Sequence, residues 1–251
     1  MTNATTTTND VDFILSECPT HLRDEWEKLI EEIGEENFTI NWGLYERMGD
    51  LVRITCPFYD GFGIDDGFGD EHTLKIFRTI RYKRDKWREF LNSTEPTTFG
   101  DVRSALCGML IEQPYRPLIL LELLNSQKLS YLTDEEVWKL IEDIWIDGEL
   151  NSSNRILWKM IFSSRKVPSS FLKGLPNEMV VYRGGNPDGL SWTLRKEQGL
   201  WFANRFDEDL PLCSMKIKKK DVLFFTNKRE EDEVIVLAND NPVEFLDKEV
   251  A

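Results

Sequence analysis

The segment VVYRGGNPDGLSWTLRKEQGLWFANRF, residues 180–206, contains the pattern that decides the fold of the C-terminal third of the chain. It opens with a β-branched and aromatic run that ends in an arginine, and two glycines follow at once. A second strand pattern comes next, and its alternation places Ser191 and Thr193 on the same face. A helix-like run then ends in Trp-Phe-Ala. The segment therefore predicts two short strands followed by a helix.

The arginine in this segment, Arg183, stands directly before Gly184 and Gly185. A guanidinium offers a planar fork of donors to phosphate oxygens. Glycine lets the backbone approach an anion closely because it carries no side chain. The pattern is typical of a phosphate site, although a structural salt bridge would use the arginine equally well.

A run of four acidic residues, Glu230 to Glu233, abuts the apolar strand pattern VIVL. In an extended chain Glu231 and Glu233 project to one face, about 6 to 7 Å apart. Two carboxylates on one face can have different catalytic roles. One can stabilise developing positive charge, while the other orients or deprotonates a nucleophile. The alternative is that these residues form a charged segment next to a hairpin turn, without a catalytic role.

The first hundred residues predict a small α+β region after a polar tail at 1–10. A helix is expected from a Thr20 N-cap to Ile33, where Gly34 ends it. A hairpin is expected between Phe38 and Tyr59, with its turn at Met48-Gly49-Asp50. The basic helix expected at 72–91 is better explained by a solvated face or an internal charge match than by nucleic-acid binding.

A polar, proline-containing break at 93–101 is the expected domain boundary. Four helical patterns follow it, at 102–112, 118–125, 134–146 and 154–162, and short strand patterns begin at residue 180. Alternating βαβ units and a GxGxxG motif are both absent, which excludes a Rossmann fold. We therefore expect an α+β chain, in which an N-terminal α+β region at 11–100 precedes a domain at 101–251 with a helical lead-in and a small mixed β-sheet.

The composition disfavours several classes of function. The net charge of −14 repels nucleic acid and anionic membranes. The chain has four scattered cysteines and two histidines, which is a poor set for zinc or for a cysteine–histidine nucleophile. The Gly- and Asp-rich stretch at 59–72 does not follow the EF-hand spacing, so no metal is expected. Without a signal-peptide pattern or a long apolar run, we expect a cytoplasmic protein.

The order of these motifs resembles the arginine–serine–glutamate class of ADP-ribosyltransferases, the cholera-toxin-like group. The resemblance is carried by Tyr182-Arg183-Gly184, by GLSWT at 189–193 with Phe202-Ala203, and by Glu231-Asp232-Glu233 before a Val-Ile-Val strand. It covers residues 180–240 directly. It implies an ADP-ribosyltransferase-like core at 101–251, and compact sequences of this kind are also similar to proteins of phages and prophages, which would act in the host cytoplasm.

Matched residue by residue, the resemblance implies that NAD+ is the co-substrate and that no metal is needed. Arg183 with Gly184 would hold the NAD+ diphosphate or ribose. Ser191 and Thr193 would take the first and last positions of the family's Ser-Thr-Ser motif. The pair Trp201-Phe202 would pack near the nicotinamide, although helical spacing suits core packing equally well.

The resemblance also implies that Glu233 is the catalytic glutamate and that Glu231 activates an acceptor, which is arginine in many members with this spacing. The expected activity is transfer of ADP-ribose from NAD+ to a target protein. Two features differ from the family: Trp192 replaces the central Thr, and Arg183 and Ser191 are only eight residues apart. The alternatives are an NAD+ glycohydrolase and an inactive binding module of the same fold.

Overall fold

A computed structural model of the 251-residue chain describes residues 10–40, 52–62, 70–148, 154–205, 210–236 and 242–247. The chain is a mixed α+β protein, as the sequence predicts. It divides into two compact units: residues 1–95 with 101–116, and residues 96–100 with 117–251. Among the residues described, no helix combines the length and apolar character that crossing a bilayer requires.

The first unit packs helices against a three-stranded antiparallel sheet in the order β1-β2-β3. Its strands are β1 (Phe38–Ile40), β2 (Val52–Cys56) and β3 (Tyr59–Phe62). Its helices are α1 (Asp10–Glu17), α2 (Arg23–Ile33), α3 (Asp70–Asn92) and most of α4 (Phe99–Cys107).

The core of the first unit is centred on Trp26, which is fully buried. Its ring meets those of Phe38 and Phe77 edge to face, at centroid distances of 6.1 and 4.8 Å. The predicted Thr20 N-cap is wrong, because α2 begins at Arg23 after a turn in which Leu22 N–H donates to Pro19 O. Leu22 is buried, and its insertion into the core fixes where the helix starts. The predicted turn at 48–50 lies outside the described residues.

The basic helix α3 is partly neutralised from within the unit. Arg81 bonds to Glu25 and Glu32 of α2, at 2.7 and 3.0 Å, and Arg84 bonds to Glu32 at 2.9 Å. These arginines show the internal charge match that the sequence suggested.

The expected domain boundary near residue 100 differs from the one in the structure, since residues 101–116 pack with the first unit. Glu112 explains much of this placement. Its N–H donates to Pro57 O at 2.8 Å, and its carboxylate pairs with Lys83 of α3 at 2.6 Å.

The second unit contains most of the predicted helix α5 (Arg116–Leu124) and all of α6 (Asp134–Asp147) and α7 (Arg155–Ser163). Helix α8 (Lys196–Asn204) follows the first two strands of the unit's sheet. The capping box predicted at the start of α6 is present. Thr133 Oγ1 accepts from Glu136 N–H at 3.3 Å, and the Glu136 carboxylate accepts from Thr133 N–H at 2.9 Å.

The sheet of the second unit has six strands in the order β7-β8-β5-β4-β6-β9. They are β4 (Glu178–Gly184), β5 (Ser191–Thr193), β6 (Leu212–Lys218), β7 (Val222–Thr226), β8 (Glu233–Val236) and β9 (Val243–Leu246). Every ladder in this sheet is antiparallel, so the prediction of a mixed sheet is wrong. The short connections from β4 to β5 and from β7 to β8 favour antiparallel pairing, because parallel neighbours need crossover connections of a dozen or more residues.

Each face of this sheet buries a different set of side chains. One face packs Val181, Trp192, Met215 and Val234 into an apolar cluster. The other face presents Phe224 to the rings that α6 and α7 supply, including Trp138 at a centroid distance of 5.8 Å. Helices α6 and α7 therefore cover the face on which Glu233 lies.

Candidate active site

A cavity of about 550 Å³ opens in the second unit at the ends of β4, β5 and β8. All eight site residues predicted from the sequence line it: Arg183, Gly184, Ser191, Thr193, Trp201, Phe202, Glu231 and Glu233. Residues far apart in the chain are thus brought to one place. The volume lies within the ~300–1,000 Å³ typical of small-molecule sites.

Glu233 is the first residue of β8, and only 4% of its surface is exposed. Its Oε1 accepts one hydrogen bond from Ser191 Oγ at 2.5 Å and another from Trp145 Nε1 at 3.1 Å. Ser191 reaches it because β5 pairs with β8, with Thr193 opposite Glu233 and Ser191 opposite Ile235. Trp145 comes from the last turn of α6 and is itself buried. The carboxylate is therefore held in one orientation by two neutral donors.

Arg229 lies between the two glutamates. Its Nη2 is 3.3 Å from Glu233 Oε2, and its Nε is 3.4 Å from Glu231 Oε2. Its side chain is 39% exposed, so the guanidinium can exchange these partners for water. Burial raises the pKa of the Glu231 carboxyl, Arg229 opposes that rise, and the nearby charge of Glu233 adds to it.

The acidic run before β8 is a turn, so the prediction that Glu231 and Glu233 alternate along an extended strand is wrong. Glu230 and Asp232 both have left-handed backbone conformations, with φ of 58° and 46°. The turn is held by Asn227, whose Oδ1 accepts from Asp232 N–H at 3.1 Å, and by Thr193, whose Oγ1 donates to Glu231 O at 2.6 Å. Thr193 thus supports the turn rather than contacting the Glu233 carboxylate.

Helix α6 anchors the beginning of this turn. Lys228 pairs with Glu142 at 2.8 Å and with Asp143 at 2.9 Å. The buried Glu142 also accepts from Thr226 Oγ1 at 2.6 Å. Since Trp145 lies on the same helix, α6 positions both the turn that carries Glu231 and the donor that orients Glu233.

Arg183 lies at a seam in the sheet, where β4 and β5 are paired only through Tyr182 and Thr193. Its Nη1 donates to Ser191 O at 2.5 Å and its Nε to Asn186 O at 2.7 Å. Gly189 lies against the guanidinium, where any side chain would collide with it. Nη2 has no acceptor among the described residues. Burial lowers the pKa of Arg183 below its usual value.

Strand alternation affects how Arg183 can act. Tyr182, Thr193 and Glu233 are opposite one another across the ladders and share a face, so Arg183 leaves β4 towards the other face. It nevertheless lines the same cavity. Its Nη1 and Nε hold the short loop between β4 and β5 through their bonds to Ser191 O and Asn186 O. Nη2 is the donor group that remains for a ligand.

The two glycines after Arg183 serve packing and turn geometry. A Cβ on Gly184 would collide with the backbone of α8 at Gly199 and Ala203. Gly185 has a φ of 98°, which favours glycine, and its N–H donates to Pro211 O at 2.8 Å. The prediction that these glycines offer free N–H groups to an anion is therefore not met at Gly185.

The aromatic pair on α8 forms one wall of the cavity. Trp201 is 51% exposed, and its ring meets that of Phe202 edge to face at 4.9 Å. The Arg205 guanidinium lies over the Trp201 ring, 5.2 Å from its centroid. An aromatic surface this open is suited to stacking against a flat ligand.

Sequence reasoning missed Trp145 and Arg229, two residues whose side chains, like that of Ser191, bond to the Glu233 carboxylate. Arg229 directly precedes the acidic run, and that adjacency is a signal that could have identified it. Nothing in the sequence around Trp145 distinguishes it from a core tryptophan on an amphipathic helix. The described residues contain no group of His, Cys, Asp and Glu side chains arranged to hold a metal.

The chain was compared with protein-family models, curated proteins and solved structures, and none of them matches it. The chemistry of the cavity therefore has to be inferred from its own residues.

Proposed function

We propose that the chain is a mono-ADP-ribosyltransferase that moves ADP-ribose from NAD+ to a protein side chain, with arginine as the acceptor. The observation that carries the proposal is the setting of Glu233. It is a buried carboxylate, oriented by Ser191 Oγ and Trp145 Nε1, at a cavity that gathers all eight site residues predicted from the sequence.

In the proposed reaction, the bond between the nicotinamide nitrogen and the ribose C1″ breaks, and nicotinamide leaves with the bonding electrons. Positive charge develops on the ribose, and the Glu233 carboxylate stabilises it. Preorganised groups of this kind are typically worth about 100- to 1,000-fold in rate. The two donors on Oε1 keep the carboxylate from turning away as the charge develops.

An acceptor guanidinium must lose a proton when its nitrogen bonds to C1″, because arginine is protonated at neutral pH. Glu231 is the carboxylate suited to accept that proton. It lines the cavity beside Glu233, and burial raises its pKa, which makes it a stronger base than an ordinary glutamate.

The contact between Arg229 and both carboxylates supports arginine as the acceptor. It demonstrates that a guanidinium fits between Glu231 and Glu233 at hydrogen-bonding or ion-pairing distance. An incoming arginine would displace Arg229 from Glu231 and take over that interaction.

The same contact favours NAD+ glycohydrolase activity as the second candidate function. While Arg229 occupies the approach to Glu231, a water molecule can reach the ribose more easily than a protein side chain can. Hydrolysis would then dominate wherever a suitable acceptor is lacking.

The test is incubation of the purified chain with labelled NAD+ and a cell lysate, followed by measurement of nicotinamide release and protein labelling. Labelled arginines that are absent with the Glu233→Gln variant would support the transferase. Nicotinamide release without labelling would establish the glycohydrolase. If neither product forms, both proposals fail and the cavity serves binding alone.

A further inference from the structure

The first unit contains a second cavity, a groove of about 1,090 Å³ between α3 and the segment around 104–112. One wall is a single face of α3, because Lys75, Arg78, Tyr82 and Lys86 follow one another at spacings of three and four residues. The other wall includes Met109. None of these residues lines the site described above.

The positive charges on the two sides of α3 differ in their partners. On the side facing α2, Arg81 and Arg84 are bonded to glutamates of that helix. In the groove, Lys75 and Arg78 are exposed and have no carboxylate within ion-pairing distance among the described residues. In a chain with a net charge of −14, these two cations thus lie in one concave surface without a carboxylate partner among the residues that the structure describes.

Large apolar side chains lie beside these cations. Tyr82 is 61% exposed and Met109 is 85% exposed. Phe90 and Leu110 also line the groove and are half-buried. Exposed apolar side chains that are clustered in a groove, rather than scattered, are typical of binding surfaces.

We propose that this groove binds an acidic peptide segment of a partner protein, anchored by apolar side chains. Lys75 and Arg78 would pair with its carboxylates, while Tyr82 and Met109 would cover its apolar anchors. A nucleic acid fits less well, because the net charge of −14 repels a long polyanion, whereas a short peptide needs to place only a few carboxylates against Lys75 and Arg78. The proposal does not depend on the NAD+ chemistry of the second unit.

The test measures binding of three fluorescein-labelled helical peptides built from Glu and Asp, with Leu, Phe or Trp anchors at positions i, i+3, i+4 and i+7. A scrambled peptide of the same composition and a single-stranded oligonucleotide of similar length are the comparison probes. Anisotropy is followed up to about 1 mM protein, so that dissociation constants up to about that value are detected.

Three double variants of the full chain identify the surface. Lys75→Glu with Arg78→Glu reverses the groove charges, and Tyr82→Ser with Met109→Ser removes the apolar contacts. Lys28→Glu with Arg88→Glu is the control for the change in net charge, since these cations have side chains 61% and 60% exposed and lie outside the groove. Circular dichroism checks that each variant is folded.

We expect at least one of the three peptides with regularly spaced anchors to bind more tightly than the scrambled peptide. Both groove variants should weaken that binding by about tenfold or more, because like charges or lost anchors in an interface carry large penalties. The control variant should bind as the unchanged chain does. The proposal is overturned if no peptide binds, if the control weakens binding as much as the groove variants do, or if the oligonucleotide binds more tightly than every peptide.

Discussion

Replacing Glu233 with glutamine separates the chemical role of this side chain from its structural role. The Gln side-chain oxygen can accept the same two hydrogen bonds, from Ser191 Oγ and Trp145 Nε1. Its amide nitrogen then faces Arg229, which puts a donor against a donor. Because Arg229 is 39% exposed and can turn to water or to Glu231, we expect a loss in stability of no more than about 1 kcal/mol.

The rate should respond far more than the stability. Glutamine cannot supply the negative charge that the developing cation requires, so nicotinamide release should fall by about 100- to 1,000-fold. That factor corresponds to about 2.7 to 4 kcal/mol of transition-state stabilisation. The measurements are nicotinamide release by chromatography and unfolding in urea, both made on the same preparation.

Glu233→Ala is the comparison variant. It removes the acceptor of two hydrogen bonds, from the buried Trp145 and from the half-buried Ser191. Losing a buried hydrogen bond costs about 1–3 kcal/mol, so alanine should destabilise the fold much more than glutamine does. A Glu233→Gln variant that releases nicotinamide within about tenfold of the unchanged chain would refute the proposed role of the charge.

Four further outcomes are expected. Glu231→Gln should abolish labelling of protein arginines while much of the nicotinamide release persists, and a parallel loss of both would assign Glu231 to NAD+ binding or to structure. The ratio of labelling to nicotinamide release should rise with pH above the ordinary glutamate range, because burial raises the pKa of Glu231 and only its ionised form accepts a proton; a ratio that does not change with pH would contradict this. Arg229→Gln should increase labelling of the small guanidine agmatine by up to about fivefold, since it removes a competing ion pair worth roughly 1 kcal/mol or less, whereas Arg229→Lys should change it less. Gly184→Ala should lower the free energy of unfolding by about 1–3 kcal/mol, because the added methyl group meets the α8 backbone at Ala203; unchanged stability in urea would show that α8 can shift.

Much of the second unit could be predicted because its local signals agree with one another. The capping box at Thr133 fixes the start of α6, and the short strand patterns VVYR, LCSMKIK and VLFFT predict β4, β6 and β7. Strand β9 was not predicted. It is a short edge strand, VEFL, and so short a segment does not show enough alternation of apolar and polar residues to mark a strand.

The sequence predicted which residues would line the cavity, but it did not predict how their side chains and backbone would be arranged. The motif order identified Ser191 and Glu233, which the structure joins by a hydrogen bond. It did not indicate that Glu230 and Asp232 would adopt left-handed conformations, since that turn depends on contacts with Asn227 and with the neighbouring strand. Nor could any local pattern place Trp145 against Glu233, because that contact spans 88 residues and exists only once α6 covers the sheet.

The seam between β4 and β5 divides the six-stranded sheet into two sets of three strands, or triplets. The ladder that joins the triplets contains a single residue pair, Tyr182 and Thr193. Amide protons in β7, β8 and β5 therefore belong to one hydrogen-bonded network, and those in β4, β6 and β9 belong to another. Each triplet can open without breaking the hydrogen bonds within the other. Amide hydrogen exchange in one triplet should therefore be only weakly correlated with exchange in the other. A molecule that bound Arg183 on one side and Glu233 on the other would act as a cross-link between the triplets. Binding of such a molecule would slow amide exchange in both triplets together, including in strands that it does not contact.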